Sequence, residues 1–173
     1  MADVKILVVY TSWSGNTEAL ARAIVEGAAD AGNKNVEVEM KRARDVGQQD
    51  IEGASALAFG SPTYYSYMSG EMKTLFDNAL PFKEAFYHKP VVAFATGQGG
   101  QLKCIQSIEA ILELFGVVFI QKSDILSAGL AVQGRPNEDA LRQAKAVGRK
   151  LGDAGVEYVC ELRSKNIIVG QRF

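Results

Sequence analysis

The sequence predicts an α/β protein whose core is a doubly wound, five-stranded parallel sheet of order 2-1-3-4-5 with helices on both faces. Three observations predict it. Short β-branched apolar runs alternate with longer segments whose apolar residues recur at helical spacing. Runs such as Ile6 to Tyr10 and Val91 to Ala95 are apolar at every position, as expected of strands covered on both faces. The right-handed crossover rule then leaves few ways to connect them, and this order is the natural one for five strands.

The first run, Val4 to Tyr10, reads as a central strand, and a polar loop from Thr11 to Gly15 leads into a helix over Asn16 to Ala31. There Leu20, Ile24 and Ala28 fall four apart, with Ala21 and Val25 beside them, giving one apolar face. Asn35 to Met40 alternates Val36 and Val38 with charged residues, the pattern of a strand at or near a sheet edge. Ala54 to Gly60 is a third, buried strand. Ser69 to Leu80 follows as a helix, with Met72, Leu75, Phe76 and Ala79 on one side. Val91 to Ala95 is the fourth strand, and Leu102 to Phe115 a helix ended by Gly116. Val117 to Ile120 opens the fifth strand, with an extension through Asp124 to Leu126 considered, and Ala128 to Gly134 reads as a connection. Asn137 is the expected N-cap of the last helix, with Glu138 and Asp139 suited to its positive end. That helix is expected to run to about Asp153 or beyond, its end obscured by Gly148, Gly152 and Gly155, and the tail from Leu162 to Phe173 receives no place.

Composition narrows the function. The chain has 173 residues, 47% of them hydrophobic, and 19 basic against 20 acidic side chains. That suits one domain over residues 1–173 and argues against a broad grip on nucleic acid or anionic lipid, which needs clustered excess Lys and Arg. Cys104 and Cys160 are too few for a disulfide framework and lack metal-site spacing. The apolar run Ile6 to Val9 is too short for the core of a signal peptide, so a cytoplasmic protein without membrane insertion is expected.

In a doubly wound sheet, ligands bind beyond the carboxyl ends of the strands where the order reverses, so the loops after strands one, three and four should meet. The first holds Ser12, Trp13, Ser14, Gly15, Asn16 and Thr17 at a helix start, where backbone N–H groups and hydroxyls suit a phosphate. It has no Lys or Arg, which excludes a P-loop and favours a single terminal phosphate. Read alone, it is equally a Ser/Thr-rich N-cap. Thr96, Gly97, Gln98, Gly99 and Gly100 let backbone approach a flat ligand, though a ligand-free glycine turn would look the same. Pro62, Thr63, Tyr64, Tyr65, Ser66 and Tyr67 place three phenols at the same crevice, each open to a packing role instead.

These residues carry a resemblance. The run Tyr10 to Glu18, with Ser12, Ser14, Gly15, Asn16 and Thr17 in register, resembles the FMN-phosphate loop of flavodoxins. Gly60 to Ser69 followed by Met72, Lys73, Phe76 and Asp77, together with Thr96 to Gly100, is more similar to WrbA-type NAD(P)H:quinone oxidoreductases of the same flavodoxin-like superfamily. The similarity runs from Lys5 to about Gly152, through Pro136, Glu138 and Ala140. It implies FMN, with its phosphate at Ser12 to Thr17 and its isoalloxazine between the Pro62 to Met68 and Thr96 to Gln101 loops. It also implies backbone hydrogen bonds from Gly97 to Gly100 near the ring, with no catalytic side chain and no metal, because FMN carries the chemistry. NAD(P)H and a quinone, or another small-molecule or protein electron acceptor, are the implied partners, and a homo-oligomer stays open.

The chain departs from WrbA-type proteins in two places. They carry a histidine near the substrate pocket just before the glycine that precedes strand five, where this chain has Leu114 and Phe115 before Gly116. Their connection before the last helix is also longer. Flavodoxins are acidic carriers that commonly stack an aromatic from the fourth-strand loop on the flavin, whereas this chain is nearly neutral and offers no aromatic there. An oxidoreductase is therefore expected ahead of a carrier. A phosphoacceptor module is excluded, because Thr11, Ser12 and Ser61 stand where it needs acidic residues. His88, considered as a proton donor to a reduced quinone, reads instead as part of a solvated turn, and Cys104 as a packed helix residue.

Overall fold

The computed structural model describes residues 4–31, 36–123 and 129–165. Its elements run β1 (Val4–Tyr10), α1 (Asn16–Ala29), β2 (Val36–Arg42), α2 (Gln48–Gly53), β3 (Ala56–Pro62), α3 (Gly70–Ala79), β4 (Pro90–Gly97), α4 (Gln101–Leu114), β5 (Val118–Gln121), β6 (Leu130–Gln133) and α5 (Glu138–Ser164). The sheet is parallel, with order β2-β1-β3-β4-β5 and β6 also beside β4.

Alternate side chains of the central strands feed two cores. Leu7, Val9, Leu57, Phe59, Val91 and Ala93 pack with Met72 and Phe76 of α3 and Ile105, Ile108 and Leu112 of α4. Ile6, Val8, Ala56, Ala58, Val92 and Phe94 pack with Leu20 and Ile24 of α1 and Ala144 and Leu151 of α5. A fully buried side chain such as Phe59 contributes roughly 1.5–3 kcal/mol. Layering on both faces is what holds the carboxyl ends of β1, β3 and β4 at one level.

The fifth position is shared. β5 pairs with Pro90 to Val92 of β4, and β6 pairs with Phe94 to Gly97. The expected connection from Ala128 to Gly134 therefore holds a strand, hidden in the sequence because its four residues lie between Gly129 and Gly134, both left-handed at φ 59° and 67°. The considered extension through Asp124 to Leu126, along with Asn35 and residues 166–173 of the tail, lies outside the described residues.

Two further features extend the sequence expectations. α2, the six-residue crossing from β2 to β3, is too short to show periodicity. α5 continues well past Asp153 to Ser164, and Asn137 caps it by accepting from the Ala140 N–H at 2.8 Å. Its glycines mark contact rather than an end: a Cβ on Gly148 would lie 2.0 Å from the Ile24 carbonyl oxygen, and one on Gly27 1.9 Å from that of Lys145. α1 and α5 approach backbone to backbone through these two positions.

Candidate functional site

The loops after β1, β3 and β4 meet at the carboxyl edge of the sheet, where the strand order reverses, around a cavity of about 560 Å³. Trp13, Ser14 and Asn16 line it from the first loop, Pro62, Thr63 and Tyr64 from the second, and Thr96, Gly97 and Gln98 from the third. Gly134, at the end of β6, completes the lining and is absent from the sequence expectation. The pairing of β6 with β4, continued by the hydrogen bond from the Gly134 N–H to the Gly97 carbonyl at 2.8 Å, brings it there, and nothing local in the sequence announces that pairing.

In the first loop, Gly15 is the N-cap of α1 with φ 88°, a left-handed conformation in which it has no side chain to cap the helix. Ser12 does so from three residues upstream: its Oγ accepts from the N–H groups of Gly15 at 3.1 Å and Glu18 at 3.3 Å. Among the described residues nothing accepts from the N–H groups of Trp13, Ser14, Asn16 or Thr17. Partnerless amides at a positive helix end form an anion seat. The Thr17 hydroxyl is turned away to Thr96, 2.8 Å between the two oxygens.

The seat is not wholly uncharged. The loop has no cation of its own, but Arg42 reaches it from the end of β2 and donates through Nη1 to the Ser12 carbonyl at 3.3 Å. Sequence reading missed this contact because it spans thirty positions.

The second loop is a tight hairpin. Tyr64 and Tyr67 exchange N–H to O bonds of 2.9 and 3.0 Å, and Tyr65 and Ser66 between them both have positive φ, 52° and 62°. Such a turn usually takes Asn and Gly, and each bulkier left-handed residue costs on the order of 1–3 kcal/mol. Tyr65 is fully exposed at the tip, away from the cavity lining, and Tyr67 is half exposed. Ser66 packs on Gly100, where a Cβ would lie 2.3 Å from its Oγ, so the bare backbone of Gly100 admits the hairpin. Thr63 N–H donates to the Thr96 carbonyl at 2.7 Å and joins the second loop to the third. Gly99, like Gly100, stands outside the cavity lining.

Beneath the loops, Thr11 and Ser69 hydroxyls lie 2.8 Å apart, and Ser61 Oγ accepts from the Ser69 N–H at 2.8 Å. Burial pushes the neighbouring Cys104 thiol up to about 11, only partly offset by the Thr63 and Ser61 hydroxyls. Thr63 Oγ1 is itself buried without a partner at hydrogen-bond geometry.

His88 precedes β4 at the amino end of the strands, exposed, with φ 60° and its N–H on the Gly116 carbonyl. It stands opposite the cavity and cannot serve it. Leu114, Phe115 and Gly116 lie at that same far end, so the departure from the WrbA-type histidine at this position does not touch the cavity. Lys89, beside His88 in the supposed solvated turn, is buried and donates to the carbonyls of Ile51 and Glu52 at the end of α2.

A doubly wound sheet with an anion seat and a cavity at its switch point defines a mononucleotide-binding class of protein. Residues 8–148 match the family model described as Flavodoxin. A flavodoxin of Aquifex aeolicus is 29% identical over 160 residues, covering 86% of this chain and 85% of that one. An NAD(P)H dehydrogenase (quinone) of Methylocella silvestris is 33% identical over 159 residues, covering 78% and 76%. The solved structure of a flavodoxin from the domain Archaea superposes with a TM-score of 0.76 at 27% identity, covering 88% of this chain and 99% of that one. The chain belongs to the flavodoxin family, and its cofactor is FMN. The residues present fit that group: four amides without partners suit a phosphate, and the buried Thr63 hydroxyl and the cavity suit a polar-edged ring.

Proposed function

We propose that the protein is an FMN-dependent NAD(P)H oxidoreductase that passes electrons to a quinone or a similar acceptor, acting as a single domain in the cytoplasm. FMN supplies the redox chemistry when bound. The chain's part is to hold and orient it. The N–H groups of Trp13, Ser14, Asn16 and Thr17, with the hydroxyls of Ser12 and Ser14, receive the phosphate. Pro62, Thr63 and Tyr64, with Thr96, Gly97 and Gln98 lining the same cavity, would hold the FMN ring. The hairpin Tyr65, Ser66 and Tyr67, together with Gly99 and Gly100, sets the spacing of those walls.

The observation that carries this reading is the lack of bulk after β4. From Thr96 to Gly100 no residue is aromatic, and Gln98 and Gly99 are exposed. That side of the cavity is open to a second planar group, as alternating visits by a nicotinamide and a quinone require. The near-neutral net charge of −1 supports it, because a carrier that docks basic partners gains from a strong acidic field. The likeness to a relative named NAD(P)H dehydrogenase (quinone) supports it too.

The second reading is an electron carrier with no nicotinamide activity of its own. Trp13 favours it: the residue is 91% exposed and lines the cavity, and an aromatic there is available to stack on a flavin. Anaerobic mixing separates the two. Bleaching of the yellow protein by NADH or NADPH, with turnover once a quinone is added, is the expected result. Reduction by a one-electron donor alone, with both nicotinamides inert, would overturn it in favour of the carrier.

A further inference from the structure

Arg42 is the last residue of β2 and lies against the root of the phosphate-side loop with partners on three of its neighbours. Its Nη1 donates to the Ser12 carbonyl at 3.3 Å, its Nη2 stands 4.0 Å from a Glu18 carboxylate oxygen, and its guanidinium carbon sits 5.4 Å over the Tyr10 ring. Glu18 is also bound by Arg22, so Arg42 does not face a whole negative charge.

A trans peptide holds its C=O and N–H in opposite directions, and no peptide among the described residues is cis. Fixing the Ser12 carbonyl on Arg42 therefore turns the Trp13 N–H away from β2. Nothing in the described residues accepts from that N–H, and Trp13 lines the cavity. We propose that Arg42 is a positioning residue for the FMN phosphate: by holding the Ser12–Trp13 peptide it aims the Trp13 N–H at the phosphate. Its planar fork, fixed by Tyr10 stacking, carries this orientation, and its charge behind the seat adds a smaller, screened attraction.

The test compares FMN with riboflavin, which lacks the phosphate, in titrations of flavin-stripped protein by quenching of flavin fluorescence. Arg42→Met keeps the stem on Tyr10 and loses the donors; its FMN dissociation constant should rise about tenfold while that for riboflavin stays within about twofold. Arg42→Lys keeps the charge without the fork and should still be about fivefold weaker for FMN, leaving about twofold to the charge. Equal weakening of both ligands would overturn the proposal in favour of a purely structural anchor. Full recovery in Arg42→Lys, with Arg42→Met still weakened for FMN, would overturn it in favour of a bare charge, and unchanged affinity for both ligands in Arg42→Met would overturn it outright. If Arg42→Met fails to fold, Arg42→Lys is read by the same ratio. No nicotinamide enters the test, so its outcome stands apart from the choice between oxidoreductase and carrier.

Discussion

The side-chain oxygens of Thr17 and Thr96 lie 2.8 Å apart, both residues almost fully buried, joining the first turn of α1 to the end of β4 across 79 positions. The two loops that flank the cavity are thereby tied at their roots, and a shift of one must carry the other.

Thr17→Val leaves the Thr96 hydroxyl buried and unpaired, which should cost about 1–2 kcal/mol in urea denaturation of the flavin-free protein. The double variant Thr17→Val/Thr96→Val should lose no more than either single change. Additive losses would mean that the two hydroxyls act separately.

Glycine substitutions should separate seat from scaffold. Gly15→Ala meets open space and carries only the strain of φ 88°, so it should cost about 1–2 kcal/mol of stability while weakening FMN binding more than riboflavin binding. Gly148→Ala drives a methyl into the Ile24 carbonyl and should cost more than about 3 kcal/mol, with soluble yield falling accordingly. Similar stability losses at both positions would contradict the division.

The hairpin tip offers the opposite sign. Tyr65→Asn with Ser66→Gly puts preferred residues into two left-handed positions and should raise stability by about 1 kcal/mol, read as a higher midpoint of thermal unfolding. A lowered midpoint would mean that the phenol and hydroxyl hold the turn by packing.

The two cysteines should differ in reactivity and in pH dependence. Exposed Cys160 should alkylate first at neutral pH, and buried Cys104 only on unfolding. The native Cys104 thiol, at about 11, keeps its proton where an unfolded thiol near 9.0 has lost it. The native state then binds more protons, so this group's contribution is complete below 9.0 and falls as pH rises toward 11. Cys104→Ala should flatten the decline across that window; an unchanged slope would assign it to other groups.

The parts of this fold that were legible in sequence are those decided locally. Ile6 to Tyr10 is apolar throughout because both its faces are covered, and Asn137 announces α5 because its side chain caps the Ala140 N–H. Gly15 and its hydroxyl neighbours marked the first loop for the same reason. Long-range pairings left no local mark: Arg42 on Ser12, Gly134 on Gly97, and Lys89 on the end of α2. β6 was lost to its flanking glycines, and the far end of α5 to glycines that serve close contact, Gly148 and Gly152 with α1 and the residue after it and Gly155 with β1 and β3.

The shared fifth position leaves the fold room to grow. Ser123, which follows β5, is anchored through its N–H and hydroxyl to the Glu109 carboxylate, and a Cβ added to Gly129, just before β6, would sit 4.0 Å from the Ser123 Cβ. With these two residues side by side, doubling the length of chain between them should cost only about 0.6 kcal/mol of closure entropy. Neither Ser123 nor Gly129 lines the cavity, so sequence spliced between them is anchored away from its walls.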